Sequence, residues 1–165
     1  MVGFGYDIHR LAEGESLILG GVEISSSFGT VAHSDGDVLL HALCDALLGA
    51  AGLGDIGEHF PDTDARYKGI SSIELLRRVI DLLRSENYRL VNVDCTLVLE
   101  KPKILPYKPA MRERIAEVCG LPVRRVSLKA TTSEKLGFVG SGEGIEAYAA
   151  CQIEEANEKT VGTAS

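Results

Sequence analysis

The chain has 165 residues, 45% of them hydrophobic and 5% aromatic, which fits a single domain with one aliphatic core. Its 17 basic and 24 acidic side chains give a formal net charge of −7, which argues against a nucleic-acid-binding surface. The sequence shows no signal peptide and no apolar run of the roughly 18 residues that a membrane span needs. We therefore expect a cytoplasmic protein without a membrane partner.

The first predicted elements are a strand over residues 2–9 and a hairpin over residues 17–24. Gly20-Gly21 supplies the positive φ angles that a tight hairpin turn requires. Residues 25–30 are predicted to form a loop because they lack a regular apolar period.

A helix is predicted over residues 34–50, with an N-cap at its first or second position and Gly52 beyond its end. Its apolar positions follow a helical period. Asp37, His41 and Asp45 recur every four residues, so they are expected to form one narrow polar stripe on this helix.

Asp7, His9 and His41 are candidate metal ligands. Residues two apart on a strand point to the same side, so Asp7 and His9 can face one point while Ile8 faces the core. His41 would add a second imidazole from the helix, which suits a divalent ion of the zinc type with one open position. A flanking carboxylate of the stripe would orient the His41 ring. The alternative is a polar helix face solvated at an edge.

Residues 33–37 precede the predicted helix and indicate either an anion site at its N-terminus or ordinary capping. The glycine-rich segment 52–64 has no helical or strand period and is predicted to be an ordered functional loop. Its Asp55, Asp62 and Asp64 can bind hydroxyl groups or terminate turns, and their spacing does not decide between the two.

The remaining elements are predicted from apolar periods and caps. They are a helix over 71–87, a strand over 90–99, a helix over 109–120, and strands over 126–130 and 145–153. This order implies one mixed sheet with helices packed on it. Residues 1–155 are interpreted as one domain and residues 156–165 as a frayed tail.

Between the last two strands, residues 131–135 read Thr-Thr-Ser-Glu-Lys. The three hydroxyl groups can donate to phosphate oxygens, and the Glu134 carboxylate can bind a hard cation such as magnesium. The alternative is a polar strand end.

The four cysteines are widely spaced and form no C-x-x-C motif, so we expect buried small hydrophobic side chains and no disulfide framework. They are Cys44, Cys95, Cys119 and Cys151.

Several motifs, in order along the chain, resemble the 2-C-methyl-D-erythritol 2,4-cyclodiphosphate synthase family. They are residues 5–9 (GYDIH), 32–37 (AHSDGD) with His41, 54–57 (GDIG), 60–64 (FPDTD) and 129–138 (KATTSEKLGF). The resemblance extends from about residue 2 to residue 153.

The resemblance implies an enzyme of non-mevalonate isoprenoid precursor biosynthesis. Its substrate would be 4-diphosphocytidyl-2-C-methyl-D-erythritol 2-phosphate, a small cytidine diphosphate compound. The 2-phosphate would attack the β-phosphorus, giving 2-C-methyl-D-erythritol 2,4-cyclodiphosphate and releasing CMP, which is the reaction of a phosphorus–oxygen lyase. Such a reaction depends on positioning and on neutralising two phosphates that repel each other.

The resemblance also implies two metal ions. Asp7, His9 and His41 would hold Zn²⁺, with a β-phosphate oxygen as the fourth ligand. Glu134 would hold Mg²⁺ or Mn²⁺ together with the substrate phosphates.

For the substrate, the resemblance implies that His33 and Ser34 contact the attacking phosphate and that His33 and Thr132 steady the developing charge. The family's methylerythritol-binding loop matches Asp55, Ile56, Gly57, Phe60, Pro61, Asp62, Thr63 and Asp64. Its cytidine diphosphate segments match Leu99, Glu100, Lys101, Pro102, Lys103, Ile104, Leu105, Thr131, Thr132, Ser133 and Glu134, and Phe138 is expected at the same site.

The fold implied by the resemblance is α+β: a single domain with a mixed four-stranded sheet packed against helices, plus a small N-terminal hairpin. The family assembles as a homotrimer with active sites between subunits. Alternating strands whose second face needs covering are consistent with this assembly.

The chain departs from the family at Ser141, where a basic residue that helps to bind phosphate is common. This departure is consistent with a competing hypothesis, a metal-binding or trimeric interaction protein without turnover. A second competing hypothesis is a zinc hydrolase that uses bound hydroxide, since a site with three protein ligands permits it. The loop at 55–64 and the cluster at 131–134 favour a phosphorylated polyol as substrate.

Overall fold

The computed structural model describes residues 1–61, 63–67 and 69–156. Asp62 and all of the expected tail after Ala156 lie outside the described residues. The strands and helices are β1 (Val2–Glu13), β2 (Leu17–Leu19), β3 (Val22–Ile24), β4 (Phe28–Val31), α1 (Val38–Ala50), α2 (Ile56–His59), α3 (Ser72–Ser85), β5 (Tyr88–Val98), α4 (Lys108–Cys119), β6 (Val126–Thr131), α5 (Gly137–Gly140) and β7 (Gly144–Glu155). Three single 3₁₀ turns occur at Ala65–Tyr67, Leu105–Tyr107 and Val123–Arg125.

The main sheet has the order β4-β1-β7-β5-β6. Only the β5–β6 pair is parallel, and the other neighbours are antiparallel, so the sheet is mixed. The predicted α+β class is confirmed, with five strands in place of the expected four. The small hairpin is also confirmed: β2 pairs with β3 across Gly20 and Gly21, whose φ angles are 60° and 74°.

The fifth strand is β4, in a segment that the sequence predicts largely as a loop. It pairs with the end of β1, from Arg10 to Glu13, which lies beyond the predicted limit of that strand. Gly29 hides the strand signal, because glycine weakens strand propensity. The structure requires glycine there, since a Cβ atom at position 29 would lie 2.0 Å from the Ser16 carbonyl oxygen.

Helices cover one face of the sheet. α1 packs on β1 and β7, while α4 packs on β6. The core between these layers is aliphatic, and all four cysteines are buried and unpaired within it, as expected. Val2, Phe4, Tyr6 and Ile8 lie on the opposite face of β1 and are between 41% and 75% exposed. The prediction that Ile8 faces the core was therefore wrong: in β1 the side that carries Asp7 and His9 faces the helices.

The other predicted elements are found within a few residues of their expected ends. Ser71 caps α3 by accepting from the Glu74 backbone N–H, and Gly120 ends α4 in the left-handed conformation with φ 68°. β5 contains a bulge between Leu90 and Asn92, which removes Val91 from the predicted alternation. Within the described ranges, no helix is long and apolar enough to cross a membrane.

Candidate active site

The position of the site depends on the close approach of β1 to α1. A Cβ atom at Gly3 would lie 1.8 Å from the Ala46 carbonyl oxygen, and one at Gly5 would lie 1.9 Å from the Ala42 carbonyl oxygen. Only glycine permits this backbone-to-backbone contact. The next residues on the same face of β1 are Asp7 and His9, which are thereby brought to the N-terminal half of α1.

Asp7, His9 and His41 converge on one point. Asp7 Oδ2 lies 3.1 Å from His9 Nδ1 and 3.2 Å from His41 Nδ1. Each residue offers one ligand atom, and the three atoms lie within 4.8 Å of one another. Zinc bonds of about 2.0 Å give a tetrahedron with an edge of about 3.3 Å, close to the two measured distances. Of the residues in 1–61, 63–67 and 69–156, this is the group that can hold a metal ion.

His9 gives an independent indication that the donors fit a metal. Its Nδ1 atom is buried and has no hydrogen-bond partner, because the 3.1 Å approach to Asp7 is not directed as a hydrogen bond. A buried nitrogen without a partner is costly unless a ligand satisfies it. The donor set of one carboxylate oxygen and two imidazole nitrogens suits a zinc-type ion.

The electrostatics of the cluster favour the ionised carboxylate. Burial alone would raise the pKa of Asp7, but the adjacent imidazoles, His41 more than His9, lower that pKa to about 2. Burial lowers the pKa of His41, but the hydrogen bond and charge of Asp7 outweigh it and raise the pKa above its usual value. Asp7 is thus held as an anion, which is the form that binds a cation.

The predicted carboxylate stripe on α1 does not flank His41. Asp37 is the N-cap of α1, so its carboxylate turns back to accept from the backbone N–H groups of Leu40, Gly20 and Gly21 at 3.1, 3.0 and 2.7 Å. Asp45 accepts from the backbone N–H of Ile56 at 2.8 Å, which ties α2 to α1. The expectation that one of them orients the His41 ring was wrong.

Ordinary capping is also what the structure shows before α1. The predicted N-cap at position 34 or 35 is replaced by Asp37, whose carboxylate occupies the helix N-terminus. A phosphate therefore has no free helix N-terminus here, and His33 and Ser34 lie outside the helix, in the preceding loop. Any phosphate contact at this point has to come from their side chains and the loop backbone.

A cleft of about 910 Å³ opens over Asp7, His9 and His41, the candidate metal ligands. The residues proposed from the sequence that line it are Asp7, His9, His33, Ser34, His41, Ile56, Gly57, Phe60, Pro61 and Thr63. Tyr67, Ile70 and Leu75 also line it and were missed, because apolar residues on a turn or helix carry no distinct chemical signal. Phe60 and Tyr67 meet edge to face with ring centroids 5.3 Å apart, forming an aromatic wall.

Asp55 and Asp64 do not line the cleft. Asp55 is the N-cap of α2 and accepts from the Glu58 backbone N–H at 3.0 Å. Asp64 accepts from the Arg66 backbone N–H at 2.9 Å and pairs with its guanidinium group at 2.6 Å. Both carboxylates therefore terminate turns in the single chain.

The other proposed site residues form a separate cluster at the end of β6. Glu100 accepts from the backbone N–H and the hydroxyl of Ser133, each at 2.9 Å, and Thr132 donates its hydroxyl to Glu134 at 3.3 Å. Glu134 and Lys135 both have positive φ, 55° and 64°, a strained conformation that is common at functional sites.

This second cluster lies far from the first within one chain. Ile8, Glu146, Val98 and Thr131 are paired in line across β1, β7, β5 and β6. With three strand spacings between them, β1 and β6 are separated by about 14 Å at this level. None of the segment 99–105, Thr131, Thr132, Ser133, Glu134 and Phe138 lines the described cleft.

Ser141 stands where a basic residue is common in the family, and its hydroxyl has partners close to it in the sequence. Its hydroxyl has one hydrogen and two acceptors within reach, the Phe138 carbonyl oxygen at 3.1 Å and the Glu143 carboxylate at 2.8 Å. It ends the short helix α5 and supplies no positive charge for a phosphate.

Sequence and structure comparisons converge on one set of proteins. The model of the YgbB family matches residues 1–154. A protein of Symbiobacterium thermophilum named 2-C-methyl-D-erythritol 2,4-cyclodiphosphate synthase is 63% identical over 153 residues, which are 93% of this chain and 98% of that protein. The bifunctional IspDF of Campylobacter jejuni matches with a TM-score of 0.90 and 45% identity over 93% of this chain and 42% of that one. A CDP-bound 2C-methyl-D-erythritol-2,4-cyclodiphosphate synthase matches with a TM-score of 0.88 and 40% identity over 93% of this chain and 100% of that one.

Proposed function

The chain belongs to the YgbB family, and we propose that it is a 2-C-methyl-D-erythritol 2,4-cyclodiphosphate synthase of non-mevalonate isoprenoid precursor biosynthesis. In this reaction the 2-phosphate of 4-diphosphocytidyl-2-C-methyl-D-erythritol 2-phosphate attacks the β-phosphorus of the same molecule. One P–O bond forms, the P–O bond to the departing CMP breaks, and the electron pair leaves with CMP. The enzyme is thus a phosphorus–oxygen lyase.

The observation that carries the proposal is the convergence of Asp7, His9 and His41 under a cleft. These residues hold zinc, which supplies a Lewis acid for a phosphate oxygen when it is bound. Asp7 contributes the negative charge of the site, and the two imidazoles bind through Nδ1. Because Asp7 and His9 share one face of β1, the cluster needs no rearrangement to receive the ion.

The remaining lining residues position the substrate. His33 and Ser34 contact the attacking phosphate, and the segments Asp55–Gly57 and Phe60–Asp64 bind the methylerythritol part. An intramolecular attack needs the flexible substrate folded head to tail, so holding both ends supplies most of the rate acceleration. His33 and Thr132 donate hydrogen bonds to the charge that develops at phosphorus.

The cytidine diphosphate end binds to the second cluster. Leu99–Leu105 and Thr131–Glu134 contact the cytidine and its phosphates, Phe138 adds an apolar contact, and Glu134 holds Mg²⁺ or Mn²⁺ beside those phosphates. The bound nucleotide in the CDP-bound relative supports a nucleotide ligand for this chain.

The two clusters meet between neighbouring subunits of a homotrimer. The separation of about 14 Å between β1 and β6 prevents one chain from placing both on the same diphosphate. The exposed apolar side chains of β1, from Val2 to Ile8, supply a face that neighbouring subunits can bury.

The test is to incubate the protein, loaded with zinc and magnesium, with the cytidylyl substrate and to follow the phosphorus resonances by NMR. We expect a cyclic diphosphate and CMP in equal amounts. A linear phosphate product would instead identify a hydrolase, and no turnover under these conditions would contradict the proposal.

A further inference from the structure

The second ring nitrogen of His41 has a buried partner on another helix. His41 Nε2 lies 3.0 Å from the hydroxyl oxygen of Ser72, the first residue of α3. The Ser34 hydroxyl is 3.5 Å from the same nitrogen, at the limit of a hydrogen bond. Ser72 is fully buried, so no water competes with the contact to His41.

Behind Ser72 lies the carboxylate of Asp35. Asp35 Oδ1 accepts from the Ser72 hydroxyl, and Oδ2 accepts from the Ser72 backbone N–H at 2.8 Å. The Asp37 backbone N–H also donates to Oδ1, at 3.2 Å. Asp35 thus connects the loop before α1 to the start of α3, on the side of His41 that faces away from Asp7.

The donors and acceptors in the hydrogen-bonded series Asp35–Ser72–His41 determine which ring nitrogen of His41 carries the hydrogen. A carboxylate can only accept, so the one hydroxyl hydrogen of Ser72 points to Asp35. The Ser72 oxygen then faces His41 with a lone pair, and it requires a hydrogen on Nε2. On the other side of the ring, Asp7 Oδ2 accepts from Nδ1 at 3.2 Å in the metal-free cluster. A metal ion at Nδ1 takes the place of that hydrogen, so with the metal bound His41 carries its one N–H on Nε2.

We propose that Ser72 and Asp35 are positioning residues that hold His41 in the tautomer whose Nδ1 binds the metal. The inference rests on the proposed metal centre. It assigns the orienting role that the sequence suggests for Asp37 or Asp45 to a serine and an aspartate on the opposite side of the ring. Such partners commonly change metal affinity without touching the ion.

The first test is a direct reading of the proton on the wild-type protein with zinc bound. The chain has only four histidines, so long-range ¹H–¹⁵N NMR spectra can resolve their ring nitrogens. We expect His41 to show a protonated Nε2. An unprotonated Nε2 on His41 in the zinc-bound protein would overturn the proposal, whether or not any variant folds.

The second test compares two adjacent serines at the start of α3. Ser72→Ala removes the partner of His41, whereas Ser71→Ala removes the exposed helix cap, whose hydroxyl accepts from the Glu74 backbone N–H. We expect Ser72→Ala to weaken zinc binding roughly 10- to 100-fold in competition with a chromophoric chelator, and Ser71→Ala to leave it unchanged. Equal zinc affinity in the two variants would contradict the proposal.

The third test removes the acceptor behind Ser72. Asp35→Ala leaves the Ser72 hydroxyl hydrogen without the carboxylate that accepts it. Ser72 then donates to His41 Nε2 and favours the tautomer with hydrogen on Nδ1, as removal of the orienting charge does in a serine protease triad. We expect weaker zinc binding and, in the metal-free protein, a shift of the His41 ring resonances toward that tautomer; unchanged resonances and affinity would refute this role.

These measurements separate the inference from the proposed function. Failure of the wild-type protein to bind zinc would contradict the metal centre itself. Normal zinc binding in Ser72→Ala and Asp35→Ala would contradict only the positioning role.

Discussion

Asp7 Oδ2 is the atom that both imidazoles of the cluster approach, at 3.1 and 3.2 Å. The carboxylate stays ionised there because the pKa of Asp7 is lowered to about 2 despite burial. The hydrogen bond and charge of Asp7 raise the pKa of His41, and a bound metal ion would replace the His41 hydrogen that faces Asp7. The three residues therefore act as one unit, and loss of any of them is expected to disable the site.

His41→Ala should lose zinc and synthase activity together, because two of the three ligands alone hold the ion weakly. We expect zinc affinity to fall by more than the roughly 100-fold that follows loss of an indirect partner. Chelator competition and the phosphorus NMR assay measure the two effects. His59→Ala is the control, since the hydrogen bond of His59 goes to the Leu53 carbonyl oxygen, at 2.7 Å, and His59 is not among the candidate metal ligands. A zinc loss of the same size in this variant would contradict the assignment.

Glu134→Gln should raise the magnesium concentration needed for half-maximal activity by roughly tenfold or more, because a neutral amide binds a hard cation poorly. The zinc content should not change, since Glu134 lies in the second cluster. A magnesium titration and metal analysis of the same sample check both statements. Loss of zinc from this variant would show that the two metal sites are not separate.

The element that sets the geometry of the site is the contact of β1 with α1. Gly3 and Gly5 bring the strand backbone onto the helix backbone, which places Asp7 and His9 beside His41. Asp37 fixes the other end of the same helix by joining its N-terminus to the turn of the β2–β3 hairpin. The geometry of the site thus depends on Gly3, Gly5 and Asp37, none of which is among the candidate metal ligands.

Gly5→Ala should destabilise the fold by about 3 kcal/mol or more, since its Cβ atom would overlap the Ala42 carbonyl oxygen. Gly49→Ala is the matched control: the new Cβ atom would meet nothing within 4 Å, and the helix should gain about 0.5–1 kcal/mol. Urea unfolding of the metal-free proteins measures both. Equal effects of the two substitutions would contradict the close contact of β1 with α1.

The stability of the metal-free protein should depend on pH through Asp37. Burial raises the pKa of this carboxyl from 3.8 to about 6, against the backbone N–H groups that lower it. The folded protein then binds the proton more tightly than the unfolded chain, so the contribution of Asp37 to the free energy of unfolding falls as the pH rises from about 4 to about 6.

The Asp37→Asn variant has no charge to bury at position 37. Its free energy of unfolding should therefore lack the decrease that the ionisation of Asp37 causes as the pH rises. Relative to wild type, its free energy of unfolding should rise by up to about 3 kcal/mol between pH 4 and pH 7. Urea unfolding of both proteins at each pH measures the difference between their free energies of unfolding. The contributions of the other titrating groups cancel in this difference. A difference that stays constant with pH would show that Asp37 titrates normally in the fold.

The sequence predicted the parts of the fold that depend on local patterns. The Gly20-Gly21 turn, the Ser71 cap and the end of α4 at Gly120 follow from backbone requirements of single residues. β4 could not be predicted, because its pairing depends on the far end of β1 and its Gly29 serves a contact with Ser16.

In the site, too, local sequence patterns predicted some residues, whereas contacts between distant parts of the chain could not be predicted. Asp7, His9 and His41 were predicted because strand and helix periods place their side chains. Ser72 was not, because its contact with His41 joins residues 31 positions apart in different helices. Asp37 and Asp45 were given the wrong partners, since helical spacing shows which face a residue occupies but not which backbone groups it caps.

At the scale of the whole molecule, the sheet order separates two half-sites. β1 carries two of the candidate metal ligands, Asp7 and His9, and β6 leads into Thr131–Glu134, with β7 and β5 between the two strands. A substrate with a phosphorylated polyol at one end and a nucleotide at the other would need both half-sites within a few ångströms. The proposed trimer resolves this by joining the cleft of one subunit to the second cluster of its neighbour.

The most direct test of this shared site is complementation between two variants, at a magnesium concentration that supports the wild-type protein but not Glu134→Gln. His41→Ala and Glu134→Gln chains are produced together in equal amounts, so that mixed trimers form, and their synthase activity is compared with each variant alone. A site between subunits is intact when a Glu134→Gln chain supplies the zinc ligands and a His41→Ala chain supplies Glu134, which holds for about one quarter of the sites in random trimers. The mixture should therefore recover about a quarter of wild-type activity, whereas activity no higher than that of the separate variants would show that each site is built from a single chain.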